Sequence, residues 1–229
     1  MKLPLIISVP HAGVRVPSEV GGLCRLSPEE IAADGDVGAR EIFAIENEVE
    51  HHVTTDISRV FADLNRAPDD LGKDGAVKSH TLWDVRVYCR PLKEQEKMRL
   101  IESYHRPYHR RLAEHARADV RLGIDCHTMA PAGPALAPDP GMTRPEICLC
   151  NAGGTCPQPW FDALAACLEQ TFELYVARNE PFAGGYIISE HSKELPWVQL
   201  LFSSAPFMSS RKKREGLLDA LERWCRRRL

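Results

Sequence analysis

The chain carries two kinds of hydrophobic pattern, and together they predict a protein that mixes strands and helices. Continuous apolar runs bounded by polar or turn residues are typical of buried strands. Such strands are predicted at 5–10, 52–56, within 121–131, and at 146–152, 186–188 and 196–202. A hairpin is predicted around 76–90, and a proline-rich loop over a site is expected at 131–141.

Between these runs, apolar residues recur at helical spacing. Helices are predicted at 28–50, at 93–120 with a break at Pro107, at 157–172, and in the C-terminal segment. Ser27, Pro28 and Glu30 form a capping-box pattern that starts the first of them. Strands alternating with helices predict an α/β fold, with a mixed, mainly parallel sheet flanked by helices on both faces. We expect one domain over residues 1–229.

Composition excludes several classes of function. The 229 residues are 44% hydrophobic and 27% charged with a net charge of −3, as in an ordinary globular protein without general affinity for nucleic acid. No apolar run is long enough for a membrane span or a signal peptide. The eight cysteines include no Cys-x2-Cys pair, so we expect reduced thiols, no structural zinc site and a cytoplasmic location.

Two histidines occupy matching positions, each near the predicted carboxyl end of a strand. His11 lies near the end of LIISVPHAG, and His127 lies near the end of GIDCHTM. Ligands gather at this edge of open α/β sheets, and two imidazoles with one carboxylate make a catalytic zinc site. The carboxylate is Asp34 or Asp36, whereas Asp125 shares a side of its strand with His127 and is expected to orient its ring. The alternative, two histidines without a metal, remains open.

A second candidate lies in SRVFADLNR. Arg59, Asn65 and Arg66 supply two guanidinium groups and an amide, which suit the planar recognition of a carboxylate. The simpler interpretation is that the arginines form surface ion pairs with Asp56, Asp63, Asp69 or Asp70.

Two further patterns give weaker signals. His105 and His109 in YHRPYH share a helix face at a spacing that can bind a metal, but the glutamate of an HExxH motif is absent. Tyr186 follows two glycines in NEPFAGGYI, as a residue on a flexible lid would.

Taken together, SVPHAG, DGDVGA, SRVFADLNR, YHRPYH, GIDCHTM, NEPFAGGYI and PWVQ resemble the N-formylglutamate amidohydrolase (deformylase) family over about residues 5–208. The resemblance implies a zinc carboxypeptidase-like α/β fold. It also implies zinc-assisted hydrolysis of N-formyl-L-glutamate to formate and L-glutamate, a step of histidine degradation.

The resemblance assigns roles to individual residues. It implies that one zinc ion is held by His11, His127 and Asp36, with Asp36 preferred to Asp34. Asn65 and Arg66 would hold the α-carboxylate of an N-formyl or N-acyl acidic amino acid.

Two further roles carry over in the same way. Arg59 would polarise the scissile carbonyl or hold a second carboxylate, and Tyr186 would close over the substrate.

The sequence departs from the family in PWVQLLFSS. Leu201 stands where the family has a glutamate that serves as the general base, and Ser204 stands where it has an arginine. Glu190 is our predicted substitute for the base, with Glu194 as an alternative.

Two functions therefore remain in competition. The first is a zinc-dependent amidohydrolase acting on N-formylglutamate or a related N-acyl amino acid. The second is a catalytically impaired member that binds zinc and an acidic amino-acid derivative as a sensor or regulator. A fold without any metal is a third possibility, and the oligomeric state is open. A small molecule is the expected partner, rather than nucleic acid or a membrane.

Overall fold

The apolar runs form a six-stranded sheet in the computed structural model, which describes residues 2–228. The strands are β1 (Leu3–Val9), β2 (Val49–Thr54), β3 (Leu122–Met129), β4 (Ile147–Cys150), β5 (Val176–Arg178) and β6 (Trp197–Ser203). Their order is β2-β1-β3-β6-β4-β5. The first four strands in this order are parallel, and β4 runs antiparallel to β6 and parallel to β5. The predicted mixed, mainly parallel sheet is confirmed.

Seven α-helices accompany the sheet in the described part of the chain. They are α1 (Pro28–Asp34), α2 (Ala39–Ile42), α3 (Glu94–Leu100), α4 (Arg106–His115), α5 (Gln158–Phe172), α6 (Tyr186–His191) and α7 (Ser210–Arg228). A π-helical turn, Ile101–His105, joins α3 to α4. The predicted capping box at the start of α1 forms, with Ser27 and Glu30 bonded reciprocally. None of the helices among residues 2–228 has both the length and the apolar character needed to cross a membrane.

Side-chain alternation divides the sheet into two different faces. Leu5 and Ile7 of β1 and Ile124 of β3 pack with α2, α5 and α7 in the larger core. Ile6 of β1 and Trp197 of β6 face the other way, toward α3, α4 and α6. Because successive strand residues point to opposite faces, the residues on either side of Ile124 and Cys126 face this second layer.

Two predicted elements are wrong. The helix predicted at 28–50 ends at Asp34 and resumes only for the short α2, because Gly35 is extended and Gly38 has a φ of +81°. The strand predicted at 186–188 is instead the start of α6, whose two isoleucines gave the β-like signal.

Two smaller features also differ from the sequence prediction. The hairpin predicted at 76–90 is an irregular loop held by an isolated bridge between His80 and Arg86. The short strand β5 had not been predicted at all. All eight cysteines are free, as expected.

Candidate active site

Three buried side chains converge at the carboxyl edge of the sheet. His11 follows β1, Asp36 lies in the turn between α1 and α2, and His127 lies on β3. Their ligand atoms all lie within 4.8 Å of one another. Asp36 Oδ2 lies 3.0 Å from His127 Nδ1, and Asp36 Oδ1 lies 3.6 Å from His11 Nδ1. Two strand ends and one turn therefore form a compact His-Asp-His cluster.

Both imidazoles are oriented by a second carboxylate. His11 donates from Nε2 to Asp63 at 2.8 Å, and His127 donates from Nε2 to Asp125 at 2.7 Å. Both Nδ1 atoms consequently face Asp36. Among the described residues His11 Nδ1 has no hydrogen-bond partner although it is buried. Two histidines fixed by carboxylates, with a third carboxylate between them, fit a divalent metal such as zinc.

The histidines and carboxylates of the cluster shift one another's pKa values. Burial alone would lower the pKa of His127, but the Asp125 and Asp36 carboxylates outweigh it and raise the pKa to about 10. Burial would raise the pKa of Asp36, but His11 and His127 hold it below its usual range. Since a ligating histidine must be neutral, metal uptake at this cluster would release a proton.

Asp34, unlike Asp36, does not belong to the His-Asp-His cluster. Its carboxylate lies 3.0 Å from Lys78 Nζ and also accepts the backbone N–H of Leu82. Lys78 Nζ further lies 2.6 Å from Asp74 and 3.7 Å from Asp63. The ammonium group is fully buried, so Lys78 is the cation of an internal carboxylate network that directly adjoins the cluster.

The two predicted arginines line the same cavity, and each is held by an aspartate. Arg59 donates from Nε and Nη2 to Asp63 at 3.0 and 2.6 Å, and its Nη1 lies 3.5 Å from Asp36. Arg66 pairs with Asp74. The expected arginine–aspartate pairing therefore occurs for Arg59, but it is buried beside the cluster rather than at the surface.

Asn65 is placed by close contact with Gly185 and with the first turn of α6. Its Oδ1 accepts the N–H of Ile187 at 2.8 Å, and its Nδ2 lies 3.3 Å from His127 Nε2. A Cβ on Gly185 would lie 2.2 Å from Nδ2, so only glycine allows this approach. The amide is thereby fixed at the wall of the cavity.

The histidines of YHRPYH bind the backbone around Asn65, not the His-Asp-His cluster. His105 donates from Nε2 to the Arg66 carbonyl at 2.8 Å, and His109 donates from Nε2 to the Leu64 carbonyl at 2.9 Å. The two carbonyls flank Asn65, and the two rings stack with centroids 4.4 Å apart. These histidines therefore hold the backbone on both sides of Asn65.

Residues 181–185 line the cavity, but Tyr186, Glu190 and Glu194, which were predicted to act on the substrate, lie outside its lining. Tyr186 packs its ring edge-on against His109 at 5.2 Å. Glu190 is well exposed and pairs with Lys193 at 3.0 Å, and Glu194 bonds to His191 at 2.7 Å. Because this segment is helical rather than extended, the geometry does not support the catalytic role predicted for Glu190 or the substrate contact predicted for Tyr186.

The cavity over the cluster has a volume of about 340 Å³, within the range of small-molecule sites. Leu201 of β6 lines it and is the Cα partner of His127 in the sheet. The loop predicted at 131–141 lines it through Pro134, Ala137 and Pro138. Lys78 was not predicted from the sequence, and Asp63 was predicted only as a surface ion-pair partner, since their types and spacing do not distinguish them from surface residues.

Comparisons with known proteins give a family match over most of the chain. The model of the N-formylglutamate amidohydrolase family matches residues 3–208. An N-formylglutamate deformylase from Pseudomonas aeruginosa is 28% identical, over 99% of this chain and 96% of that protein.

Two solved structures have the same fold. An N-formylglutamate amidohydrolase from Ralstonia eutropha JMP134 has a TM-score of 0.76 at 22% identity, covering 98% of this chain and 90% of that chain. The gene product Atu2144 from Agrobacterium tumefaciens also has a TM-score of 0.76, at 18% identity, covering 99% of this chain and 89% of that chain.

Proposed function

The chain belongs to the N-formylglutamate amidohydrolase family, and from this premise we propose that it hydrolyses the amide bond of an N-formyl or N-acyl amino acid at a zinc centre. His11, Asp36 and His127 are the proposed ligands. The matched relatives, an amidohydrolase and a deformylase by name, support assignment as a hydrolase.

One observation carries the proposal: the ligand atoms of these three residues converge within 4.8 Å, below an open cavity. Zinc bound by three protein ligands keeps a position open, lowers the pKa of water and polarises a carbonyl, which is the chemistry that amide hydrolysis needs. Asp63 and Asp125 would fix the ring orientations during the reaction.

The chain's cationic groups suit the amino-acid half of the substrate. Arg66 is partly exposed in the cavity wall and offers a guanidinium to an α-carboxylate, next to the amide of Asn65. Arg59 lies close enough to Asp36 to stabilise negative charge developing on a carbonyl oxygen at the cluster. Its bonds to Asp63 would hold that guanidinium in place before the substrate arrives.

The proton-transfer step is the weak point of this chemistry. Leu201 cannot accept a proton, and the other cavity-lining carboxylates among the described residues are engaged. Asp34 and Asp74 are held by Lys78, and Asp36 lies between the two histidines. A positioned base contributes about 10²- to 10⁴-fold, so we expect hydrolysis slower by about that factor than with a glutamate at position 201.

Leu201 also favours a second candidate function, a binding protein. The His-Asp-His cluster would retain zinc, and Asn65 and Arg66 would hold an acidic amino-acid derivative that is not hydrolysed. This alternative keeps every proposed ligand and substrate contact, and it differs from the first only in the rate of hydrolysis.

The experiment measures zinc first and turnover second. Purified protein incubated with zinc and freed of excess should retain about one ion per chain; no retention would refute both functions. Formate release from N-formyl-L-glutamate, or glutamate release from N-acetyl-L-glutamate, supports the hydrolase. Tight binding of both compounds without release supports the binding protein.

A further inference from the structure

A row of apolar side chains continues from His127 across the sheet. His127 of β3 pairs with Leu201 of β6, Leu201 pairs with Cys148 of β4, and Cys148 pairs with Ala177 of β5. Paired residues on adjacent strands point to the same face. The row that begins at His127 is therefore apolar from the next strand onward, whereas Gln199, two residues before Leu201 on β6, adds a polar side chain to the same cavity.

We give the name apolar shelf to the wall formed by Leu201 and Cys148 of this row together with Met129 and the ring of Phe182. The four residues belong to one hydrophobic cluster. Leu201, Met129 and Phe182 line the cavity, and the Cys148 thiol donates to the Glu180 carbonyl at 3.2 Å. Cys148 is fully buried in this wall, so Leu201, Met129 and Phe182 offer the apolar surface to a group that binds beside His127.

A formyl group does not use such a wall, because it has no carbon beyond the carbonyl. We propose that the apolar shelf binds the acyl chain of the substrate, and that this protein prefers N-acyl amino acids whose acyl group is longer than formyl. The inference rests on the proposed function and specifies its substrate class. Leu201 is then a specificity-determining residue as well as a missing base.

The sheet order separates the two ends of the substrate. The segment 59–66 follows β2, whereas Met129 of the shelf ends β3 and Leu201 and Cys148 lie on β6 and β4, beyond β3. The histidine cluster at the ends of β1 and β3 lies between them. A substrate whose carbonyl lies at the cluster and whose carboxylate meets Arg66 therefore directs its acyl chain toward Leu201.

The cation on the shelf side is buried and held by two hydrogen bonds, whereas Arg66 makes one bond to Asp74 and its side chain is 42% exposed. Arg144 lines the cavity, but it donates from Nε and Nη2 to Asp139 at 2.8 and 2.7 Å. Its guanidinium lies over the Phe182 ring, 4.8 Å from the ring centroid. Arg144 thus packs against the Phe182 ring of the shelf. This side of the cavity therefore favours a hydrocarbon chain over a second carboxylate.

The test is a homologous series of ligands on zinc-loaded protein. Dissociation constants for N-formyl-, N-acetyl-, N-propanoyl- and N-butanoyl-L-glutamate would be measured by calorimetry, with glutamate release followed in parallel. From acetyl to butanoyl we expect affinity to rise about fourfold per methylene, equivalent to about 0.8 kcal/mol.

Variants locate the effect on the shelf. Leu201→Ala and Met129→Ala should flatten the dependence on acyl length, and Leu201→Met, which conserves volume, should retain it. Leu200→Ala is the matched control: Leu200 is the neighbouring buried leucine of β6 and packs in the opposite core. It should lower stability but leave the dependence on acyl length unchanged.

The outcomes separate this inference from the proposed function. Affinity that rises with acyl length without any glutamate release supports the shelf and refutes hydrolysis. Release from N-formylglutamate with affinity that falls as the acyl chain grows supports hydrolysis and refutes the shelf. An unchanged dependence of affinity on acyl length in Leu201→Ala would also refute the role of the shelf.

Discussion

The Nζ atom of Lys78 lies 3.0 Å from the Asp34 carboxylate, and both side chains are fully buried. Removing one member of a buried pair leaves an uncompensated charge, which typically costs about 3–5 kcal/mol. We therefore expect Lys78→Met to lower the free energy of unfolding by about that amount. Urea denaturation followed by circular dichroism measures it.

Lys73→Met is the matched control for that variant. Lys73 pairs with Asp84 at 3.1 Å, but both side chains are about half exposed. Exposed pairs contribute little, so the free energy of unfolding should change by less than about 1 kcal/mol. Equal losses in the two lysine variants would contradict a special role for the buried network.

Asp63 is expected to act on the metal through His11. Replacing such a carboxylate typically weakens metal affinity by 10- to 100-fold, so Asp63→Asn should reduce zinc affinity by about that factor. Competition with a chromogenic chelator measures the affinity, on samples shown to be folded. Asp56→Asn, at an exposed carboxylate, should bind zinc like the unmodified protein; equal affinities in all three proteins would rule out the role.

Leu201→Glu tests the missing base. Restoring a carboxylate beside His127 should raise the rate of N-formylglutamate hydrolysis by about 10²-fold or more. Leu201→Gln matches its shape without accepting a proton and should show no such gain. A similar rate in both variants would mean that the base is supplied elsewhere or that it is not limiting.

The histidines behind Asn65 should make stability depend on pH. Burial, followed by the charges of His105 and His191, lowers the pKa of His109 from 6.5 to about 3. Burial also lowers the pKa of His105. The unfolded chain therefore binds protons below pH 6.5 that the folded protein does not, so stability falls as pH drops from 6.5 toward 3.

His109→Gln separates this contribution from the others. Glutamine retains a donor for the Leu64 carbonyl but does not titrate. Between pH 6.5 and 4.5, the slope of unfolding free energy against pH should decrease by up to about 1.4 kcal/mol per pH unit. His191 Nε2 lies 2.9 Å from His109 Nδ1, and Tyr186 and Tyr108 also face this ring. An unchanged slope would show that His109 does not remain neutral in the folded protein.

Much of the site followed from strand alternation alone. His127 and Asp125 lie two residues apart on one strand, so a period of two predicted that one would orient the other, and the structure confirms the contact. The spacing of the residues left Asp34 and Asp36 open, and only the family resemblance favoured Asp36. The choice between them depends on Lys78, which lies more than forty positions along the chain and reaches Asp34 only after folding.

Where the sequence prediction failed, tertiary contacts had outweighed local preference. Ile187 and Ile188 favour a strand by propensity, yet both are buried in a helix that docks through the Ile187 N–H onto Asn65. That change of structure type turned Glu190 outward. The residue types in this segment do not predict the change from strand to helix, because the contact partner, Asn65, lies far away in sequence.

The most direct test of the metal centre is anomalous diffraction at the zinc edge from crystals grown with zinc. We predict one strong peak at about 2.0–2.2 Å from His11 Nδ1, His127 Nδ1 and an Asp36 oxygen. A peak among Asp34, Asp74 and Lys78, or no peak near the three ligands at full zinc saturation, would contradict the account.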